Sequence, residues 1–306
     1  MVSPRICSIS GSFVTHFDPS LPFGVVCHDA GGTNQIAAML QARGWHPAWV
    51  VAEGPAAAVW QRDFPDMSTV SDFAWLKAAA AIITATGWAS DLEFHARDLA
   101  QEAGVLSIAV MDHWTNYRER FVRHGQEVLP DELWVVDDYA AQMAQSLFPG
   151  KAVILHADYY AEREVAQVAS MDAKTPLSLL YLLEPIRSDW GRGEPGEFQA
   201  LRFFLECLPL LGLPQGTDIC LRLHPSEEPG KYDAFLREEG DFPVRRATGA
   251  LADALSQCRW VAGCQTYAMT LALRAGRGVF GTMPPWAPAC VLPHQGIVHL
   301  RDLMAV

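Results

Sequence analysis

The sequence predicts an α/β protein made of two Rossmann-like halves that face a central cleft. Short apolar runs alternate with amphipathic stretches of helical length from one end to the other, and the alternation pauses once, between residues 155 and 175. Alternating strands and helices favour parallel sheets covered by helices on both faces. A length of 306 residues also fits two domains of about 150 residues each.

Six apolar runs of the first half are predicted to be buried strands: residues 23–28, 48–51, 80–84, 105–111, 133–136 and 152–155. Four stretches between them have helical length and periodicity: residues 35–43, 56–63, 91–103 and 137–147. A repeated strand–helix order predicts one parallel sheet. Ligands of such sheets bind at the carboxyl ends of the strands, so the residues that follow each strand are the candidates for function.

Residues 155–175 become charged and alanine-rich, with no strand signal, which predicts the connection between domains 1–160 and 161–306. The second half then repeats the rhythm. Its predicted strands are 177–183, 218–223, 244–246, 259–262 and 278–280, and its predicted helices are 197–211, 231–238, 250–257 and 267–275. The proline-containing tail is predicted to be loop, with a short closing helix over residues 299–304.

Composition excludes several classes of protein. The formal net charge of −12 argues against a protein that binds nucleic-acid backbone, which needs a basic face. Seven cysteines without a CxxC pair indicate reduced thiols in a cytoplasmic protein. Neither a signal peptide nor an apolar run near the length of a membrane span is evident, so only peripheral membrane contact is expected. No His, Cys, Asp and Glu set has the spacing of metal ligands, and we expect no metal.

The first motif with chemical potential is the segment CHDAGGTN, which follows the first predicted strand. The paired glycines Gly31 and Gly32 let a backbone turn tightly and approach a ligand closely. Asp29 stands at the strand end, where a carboxylate can act as a general base. The alternative is that Asp29 caps the following helix and that the glycines form an ordinary turn.

Two further segments of the same kind lie in the second half. His224, Pro225 and Ser226 end one predicted strand, and Gln265 and Thr266 end another. A histidine at a strand end can donate to a phosphate oxygen, and a helix start offers unpaired N–H groups to an anion. The alternatives are structural, with Ser226 and Thr266 each capping the helix that follows. We expect the two segments to lie on neighbouring strands of one sheet.

Polar and aromatic residues also crowd the segment MDHWTNYRERF after the fourth predicted strand. Asp112 and His113 could form an acid/base pair, while Trp114 or Tyr117 could stack on the face of a sugar. An aromatic plug over the sheet end, with the nearby arginines paired to local carboxylates, explains the same composition equally well.

Glu184 and Arg187 follow the first predicted strand of the second half. Glu184 could accept hydrogen bonds from a ribose or a base, or it could merely cap a turn. Both residues are assigned to the donor-binding set on the grounds of their position.

The strand-end pair His224-Pro225, followed by Gln265-Thr266 at a helix start, resembles the HP and S/T motifs of GT-B glycosyltransferases that use CMP-activated sugars. Those families include bacterial sialyltransferases, polysialyltransferases and Kdo transferases, and CDP-glycerol polymerases carry a related arrangement. The resemblance implies that His224 contacts the phosphate and cytidine side of the donor and that Gln265-Thr266 bind the phosphate. It further implies an acidic base in the N-terminal half, for which Asp29 is the best positional match.

Two departures from the family pattern are visible. The usual serine or serine–threonine pair is Gln265-Thr266, which leaves the donor open. The base motif HDAG replaces two acids and a glycine, which leaves the base open between Asp29 and Asp112.

The function implied by the resemblance is a metal-independent, inverting transfer of a sugar from a nucleotide-activated donor, preferably a CMP-linked nonulosonic acid or Kdo. The acceptor would be a glycan, lipid or protein in surface-glycan biosynthesis. Residues 1–160 would serve the acceptor and base, residues 161–306 would bind the donor, and no cofactor beyond this substrate is expected. One alternative is a UDP-sugar 2-epimerase or hydrolase of the same fold, which needs a second acid. The other is a non-catalytic partner that keeps a nucleotide-sugar pocket.

Overall fold

The computed structural model describes residues 15–186, 188–224, 226–238 and 244–304. The chain divides into two compact units, Met1–Tyr160 (unit 1) and Ala161–Val306 (unit 2). Each unit contains a six-stranded sheet, and every described strand pair within these two sheets is parallel. The predicted fold class, α/β with two Rossmann-like domains, is confirmed.

The strands of unit 1 are β1 (Phe23–Cys27), β2 (Trp49–Ala52), β3 (Ala81–Thr84), β4 (Leu106–Val110), β5 (Val122–Arg123), β6 (Gln126–Glu127), β7 (Glu132–Val135) and β8 (Ala152–Leu155). The helices are α1 (Ala30–Arg43), α2 (Pro55–Asp63), α3 (Leu92–Ala103) and α4 (Asp138–Leu147). Helix α5 (Tyr159–Ala166) lies in the predicted connection and spans the boundary between the two units. The sheet order is β2-β1-β3-β4-β7-β8, and β5 pairs with β6 in a small antiparallel hairpin. The chain therefore reverses its direction of sheet growth between β1 and β3, where such folds bind ligands.

The apolar runs form strands because both faces of the sheet are covered. Every residue of β1 and β3 is buried, and successive side chains enter opposite cores. Val25 and Ile83 belong to one apolar cluster, while Val26 and Ile82 belong to another. Each such side chain contributes about 1.5–3 kcal/mol by leaving water, which fixes the sheet that carries the strand ends.

The strands of unit 2 are β9 (Ser178–Leu182), β10 (Asp218–Arg222), β11 (Val244–Arg246), β12 (Trp260–Gly263), β13 (Gly278–Gly281) and β14 (Ile297–His299). The helices are α6 (Gly196–Cys207), α7 (Asp233–Glu238), α8 (Leu251–Ser256), α9 (Ala268–Arg274) and α10 (Leu300–Leu303). The sheet order is β11-β10-β9-β12-β13-β14. The direction of growth reverses between β9 and β12, so this unit has its own switch point.

Besides helix α5 and the β5–β6 hairpin, which the sequence does not predict, three elements differ from the sequence-based expectation. Helix α1 begins at Ala30 rather than at residue 35, so that Gly31 and Gly32 lie in its first turn and not in a turn before it. The tail holds β14, a sixth parallel strand, where a loop is predicted. Residues 208–211 form a 3₁₀ turn after α6 instead of continuing the helix. No helix of the described chain combines the length and apolar character needed to cross a bilayer.

Candidate active site and its relatives

Asp29 and Asp112 come together at the switch point of unit 1. Asp29 follows β1, and Asp112 comes two residues after the end of β4. A Cβ placed on Gly31 would lie 2.3 Å from Oδ2 of Asp112 and 4.0 Å from Oδ2 of Asp29, and a Cβ on Gly32 would lie 2.6 Å from the Ala85 Cβ. Helix α1 can therefore start against both carboxyl groups only because these two positions lack side chains. We call Asp29 and Asp112 the carboxyl pair.

Arg120 fixes Asp112. Its Nη1 lies 2.5 Å from Oδ1 of Asp112 and donates to Oγ1 of Thr86 at 2.7 Å, while its Nε donates to the carbonyl of Thr115 at 3.1 Å. The Asp112 and Arg120 side chains are only 13% and 10% exposed. Although burial acts in the opposite direction, the charge and hydrogen bond of Arg120 hold the pKa of Asp112 below its ordinary value.

Asp29 has the opposite character. Burial, followed by the negative charges of Asp112 and Glu93, raises the pKa of Asp29 to about 8. Its Oδ1 is buried and has no hydrogen-bond partner among the described residues. Near neutral pH the pair therefore holds one proton on Asp29 and a charge on Asp112. Two carboxyl groups whose environments separate their pKa values in this way are suited to acid/base catalysis.

Glu93 and Arg97 support the pair from α3. Oε1 of Glu93 accepts the backbone N–H of His28 at 2.8 Å, which fixes the residue before Asp29. Arg97 donates to Oγ1 of Thr84 at 3.0 Å and to the carbonyl of Ala85. Burial raises the pKa of Glu93. Sequence reasoning missed both residues, yet their four-residue spacing on the buried face of α3 was a readable signal.

The two aromatic residues predicted to bind a sugar in this segment take structural positions. Trp114 and Tyr117 are 3% and 2% exposed, so neither can stack on a sugar, and that prediction is wrong. The His113 ring packs 5.5 Å from the Trp114 ring, and the observed ion pair of Asp112 is with Arg120. The alternative of an aromatic plug with a locally paired arginine thus describes this segment, and it supplies the carboxyl pair with its cation.

In unit 2, the predicted residues follow three adjacent strands. His224 follows β10, Glu184 follows β9 and Gln265 follows β12. The expectation that the His224 and Gln265 segments lie on neighbouring strands is wrong, because β9 separates them. Oε2 of Glu184 accepts the backbone N–H of Gln265 at 3.1 Å across the switch point. Burial raises the pKa of Glu184 to about 7.

This contact changes the predicted phosphate cradle. The Gln265 N–H is used by Glu184, and α9, which starts at Ala268, has only seven residues. The predicted capping role of Thr266 is not observed either, since Tyr267 is the N-cap and makes no side-chain cap bond. An anion could reach the Gln265 N–H only if Glu184 moved away, so this N–H is not an open donor.

His224 is oriented by its own turn. Its Nδ1 accepts the backbone N–H of Ser226 at 3.2 Å and lies 2.7 Å from the Ser226 hydroxyl. Because Nδ1 accepts, the neutral ring carries its proton on Nε2. Burial lowers the pKa of His224, which keeps the ring neutral near pH 7. His224 therefore offers an Nε2–H donor. Helix α7 begins only at Asp233, so Ser226 is not its cap.

Two predicted donor-binding residues, Arg187 and Pro225, lie outside the described residues. In the part of the chain that is described, no three His, Cys, Asp or Glu side chains form a group able to hold a metal ion.

No protein-family model matches the chain. No curated protein matches it either. Solved structures do. The UDP-GlcNAc 2-epimerase from Methanocaldococcus jannaschii shares 8% sequence identity with a TM-score of 0.58, covering 94% of this chain and 92% of that one. MnaA from Staphylococcus aureus, solved with UDP, shares 11% identity with a TM-score of 0.57, covering 85% and 79%. UDP-N-acetylglucosamine 2-epimerase from Rickettsia bellii shares 11% identity with a TM-score of 0.54, covering 85% of this chain and 78% of that one.

The fold is GT-B-like. Identities this low show the fold of the chain and nothing about its substrate. Two Rossmann-like domains of this type are what the motif resemblance implies. The CMP-sugar families named by that resemblance are not among the structures compared above.

Proposed function

We propose that the chain is an enzyme that acts on a nucleotide-activated sugar. The observation that carries the proposal is the carboxyl pair of Asp29 and Asp112, which lies beside Arg120 and in which burial and neighbouring charge favour a proton on Asp29 and a charge on Asp112. Such a pair sits at a sheet switch point, where α/β domains bind ligands. The similarity to UDP-GlcNAc 2-epimerases and to a UDP complex supports a nucleotide sugar as the ligand class.

Unit 2 is the proposed nucleotide side. His224 presents an Nε2–H donor that can bind a phosphate oxygen in its neutral form, so its contact does not depend on a positive charge. Gln265 and Thr266 follow β12, the strand on the other side of the switch point from β9. Their side chains complete the proposed donor set. The motif resemblance favours CMP, and the structural relatives include a UDP complex, so a pyrimidine nucleotide fits both.

The first candidate reaction is inverting, metal-independent glycosyl transfer to a hydroxyl of a glycan, lipid or protein acceptor. Of the two carboxyl groups, Asp29 suits the base, because its pKa of about 8 makes its ionised form a far stronger base than Asp112. As the nucleotide leaves, His224 donates to the phosphate on which negative charge grows. The rate of this reaction would rise with pH and level off above about 8.

The second candidate is a UDP-sugar 2-epimerase or hydrolase, and Asp112 is the specific observation that favours it. Inverting a sugar carbon requires one group to remove a proton and another to return one, and the carboxyl pair supplies both. In this reaction Asp29 is needed as the acid. Its protonated form is lost above about pH 8, so the rate would fall there rather than rise.

The experiment offers UDP-GlcNAc and CMP-N-acetylneuraminic acid separately to the full chain, without acceptor, from pH 6 to 9. Calorimetry with UDP and CMP measures binding, and chromatography of the products measures turnover. If altered sugar forms without an acceptor, and forms more slowly as the pH rises, the chain is an epimerase or a hydrolase. Transfer that requires an added acceptor and rises with pH selects the transferase. Binding without turnover selects a non-catalytic partner, and binding of neither nucleotide by wild type, or unchanged binding by His224→Ala, removes the proposal.

A further inference from the structure

A buried ion cluster lies behind the strand ends of unit 2. Nζ of Lys231 contacts Oε1 of Glu197 and lies 2.9 Å from Oε1 of Glu227, which also accepts the Tyr232 hydroxyl at 2.6 Å. The Glu227 and Glu197 side chains are only 1% and 7% exposed, and that of Lys231 is 26% exposed. We call these four residues the ion cluster.

The second oxygen of each carboxylate holds a strand-end segment by its backbone. Oε2 of Glu227 accepts the His224 N–H at 3.2 Å, and Oε2 of Glu197 accepts the Ile186 N–H at 3.3 Å. These backbone groups belong to the segments that follow β10 and β9. One cation therefore bridges the two acids that fix both segments.

The arrangement depends on the charge of Lys231. Two carboxylates brought together away from water repel each other strongly, and a bridging cation offsets both the repulsion and the loss of hydration. Without that cation, Glu197 and Glu227 would repel each other and move apart. The two backbone N–H groups would then lose well-placed acceptors, and the segments that carry Glu184 and His224 would no longer be held in one geometry.

We propose that Lys231 is a positioning residue of the nucleotide site in unit 2, acting through Glu197 and Glu227 on the segments that carry Glu184 and His224. The inference rests on the proposed function, since it takes His224 as a nucleotide contact. Lys231 itself touches the acids and not the ligand. Its role is to fix the position of the Nε2–H donor of His224, because a displacement of about 1 Å is enough to weaken the contact of such a group with its ligand.

The test measures the affinity of the full chain for UDP and for CMP by calorimetry. Lys231→Met keeps much of the side-chain length but loses the charge, and we expect binding to weaken on the order of tenfold or more. Lys231→Arg keeps the charge and should restore most of the affinity. The matched control is Arg246→Met, which breaks the exposed ion pair with Asp233 in the same unit and should leave binding unchanged.

A double variant separates positioning from general loss of structure. If Lys231 acts through the His224 segment, Lys231→Met should cost far less in a His224→Ala background than in wild type, whereas independent damage would add. Full additivity, or unchanged affinity in a folded Lys231→Met, overturns the inference. Should Lys231→Met not fold, Tyr232→Phe decides: weaker binding at an unchanged Tm supports the role, and unchanged binding overturns it. Wild type that binds neither nucleotide removes the proposed function itself.

Discussion

Both units gather carboxylates at the carboxyl ends of their strands, but the two sets are compensated to very different degrees. In unit 2, Glu197 and Glu227 share Lys231, and Glu227 also accepts from Tyr232 and from a backbone N–H. In unit 1, Arg120 pairs with Asp112 alone, and Asp29 keeps a buried oxygen without a partner among the described residues. A satisfied cluster fixes a geometry, whereas an unsatisfied carboxyl holds a proton that it can exchange. The contrast supports the proposal that unit 1 carries the chemistry and unit 2 places the ligand.

Removing the titration of the carboxyl pair should give the largest effect. Asp29→Asn and Asp112→Asn each remove one acid/base group without changing its size, and we expect turnover to fall about 10²–10⁴-fold. Affinity for UDP or CMP should stay within the error of calorimetry, because the proposed nucleotide contacts lie in unit 2. Turnover is measured as nucleotide release from UDP-GlcNAc or CMP-N-acetylneuraminic acid. If both variants keep wild-type turnover, unit 1 does not carry the chemistry.

The same pair predicts how stability changes with pH. The pKa of Asp29 is higher in the folded chain than its ordinary value of 3.8, so its contribution to stability is complete below that value and is lost as the pH rises through about 8. Asp29→Asn cannot ionise. The Tm of the variant minus the Tm of wild type should therefore be more positive at pH 9 than at pH 5. An equal difference at both values would mean that Asp29 titrates normally.

Breaking the ion pair at Arg120 should give the next largest effect. Arg120→Met leaves Asp112 buried without its cation, and we expect the free energy of unfolding to fall by about 3–5 kcal/mol. Denaturant titration near pH 7 measures it. Arg118→Met is the matched control, because Arg118 is exposed and, among the described residues, donates to the carbonyl of Leu147 alone. That control should change stability by no more than about 0.5 kcal/mol. If both variants lose the same free energy of unfolding, the ion pair between Arg120 and Asp112 does not stabilise the chain more than an exposed contact does.

Glu93 offers a smaller and more selective change. Its negative charge is one of the causes that raise the pKa of Asp29, after burial and after the charge of Asp112. Glu93→Gln removes that charge while an amide oxygen can still accept the His28 N–H. The pH at which activity changes should therefore move down, toward the ordinary range of a carboxyl group, with little change in the maximal rate. A profile that stays in place would show that burial and Asp112 alone set the pKa of Asp29.

The sequence predicted the fold well because the signals of a buried parallel sheet are local. Continuous apolar runs such as FGVVC and AIIT can lie only where both faces are covered, and their positions were found to within one or two residues. Strand β14 was missed because it has three residues and follows a segment rich in prolines. Helix α1 was started too late because Gly31-Gly32 has low helix propensity, which the close approach to Asp112 and Ala85 overrides.

The candidate sites were predictable only in part. Asp29, Asp112, His224 and Glu184 all lie at strand ends, a position that the strand pattern alone fixes. Their partners depend on which strands become neighbours, and sheet order is not written in local periodicity. The pairing of Arg120 with Asp112 was foreseen only as a structural alternative, and the bond from Gln265 to Glu184 required β9 to lie between β10 and β12.

The smallest expected effect concerns unit 2 and lies at the imidazole of His224. Ser226→Ala removes the hydroxyl beside Nδ1 but keeps the backbone N–H that donates to it. The proton should therefore stay on Nε2, and affinity for UDP or CMP should weaken only about two- to tenfold, the value of one hydrogen bond. His224→Ala should cost more, because it removes the donor itself. Nitrogen NMR of the labelled imidazole reports the protonated nitrogen directly. A proton found on Nδ1 in the wild-type chain would mean that Nε2 accepts, and a phosphate oxygen could not then be its partner.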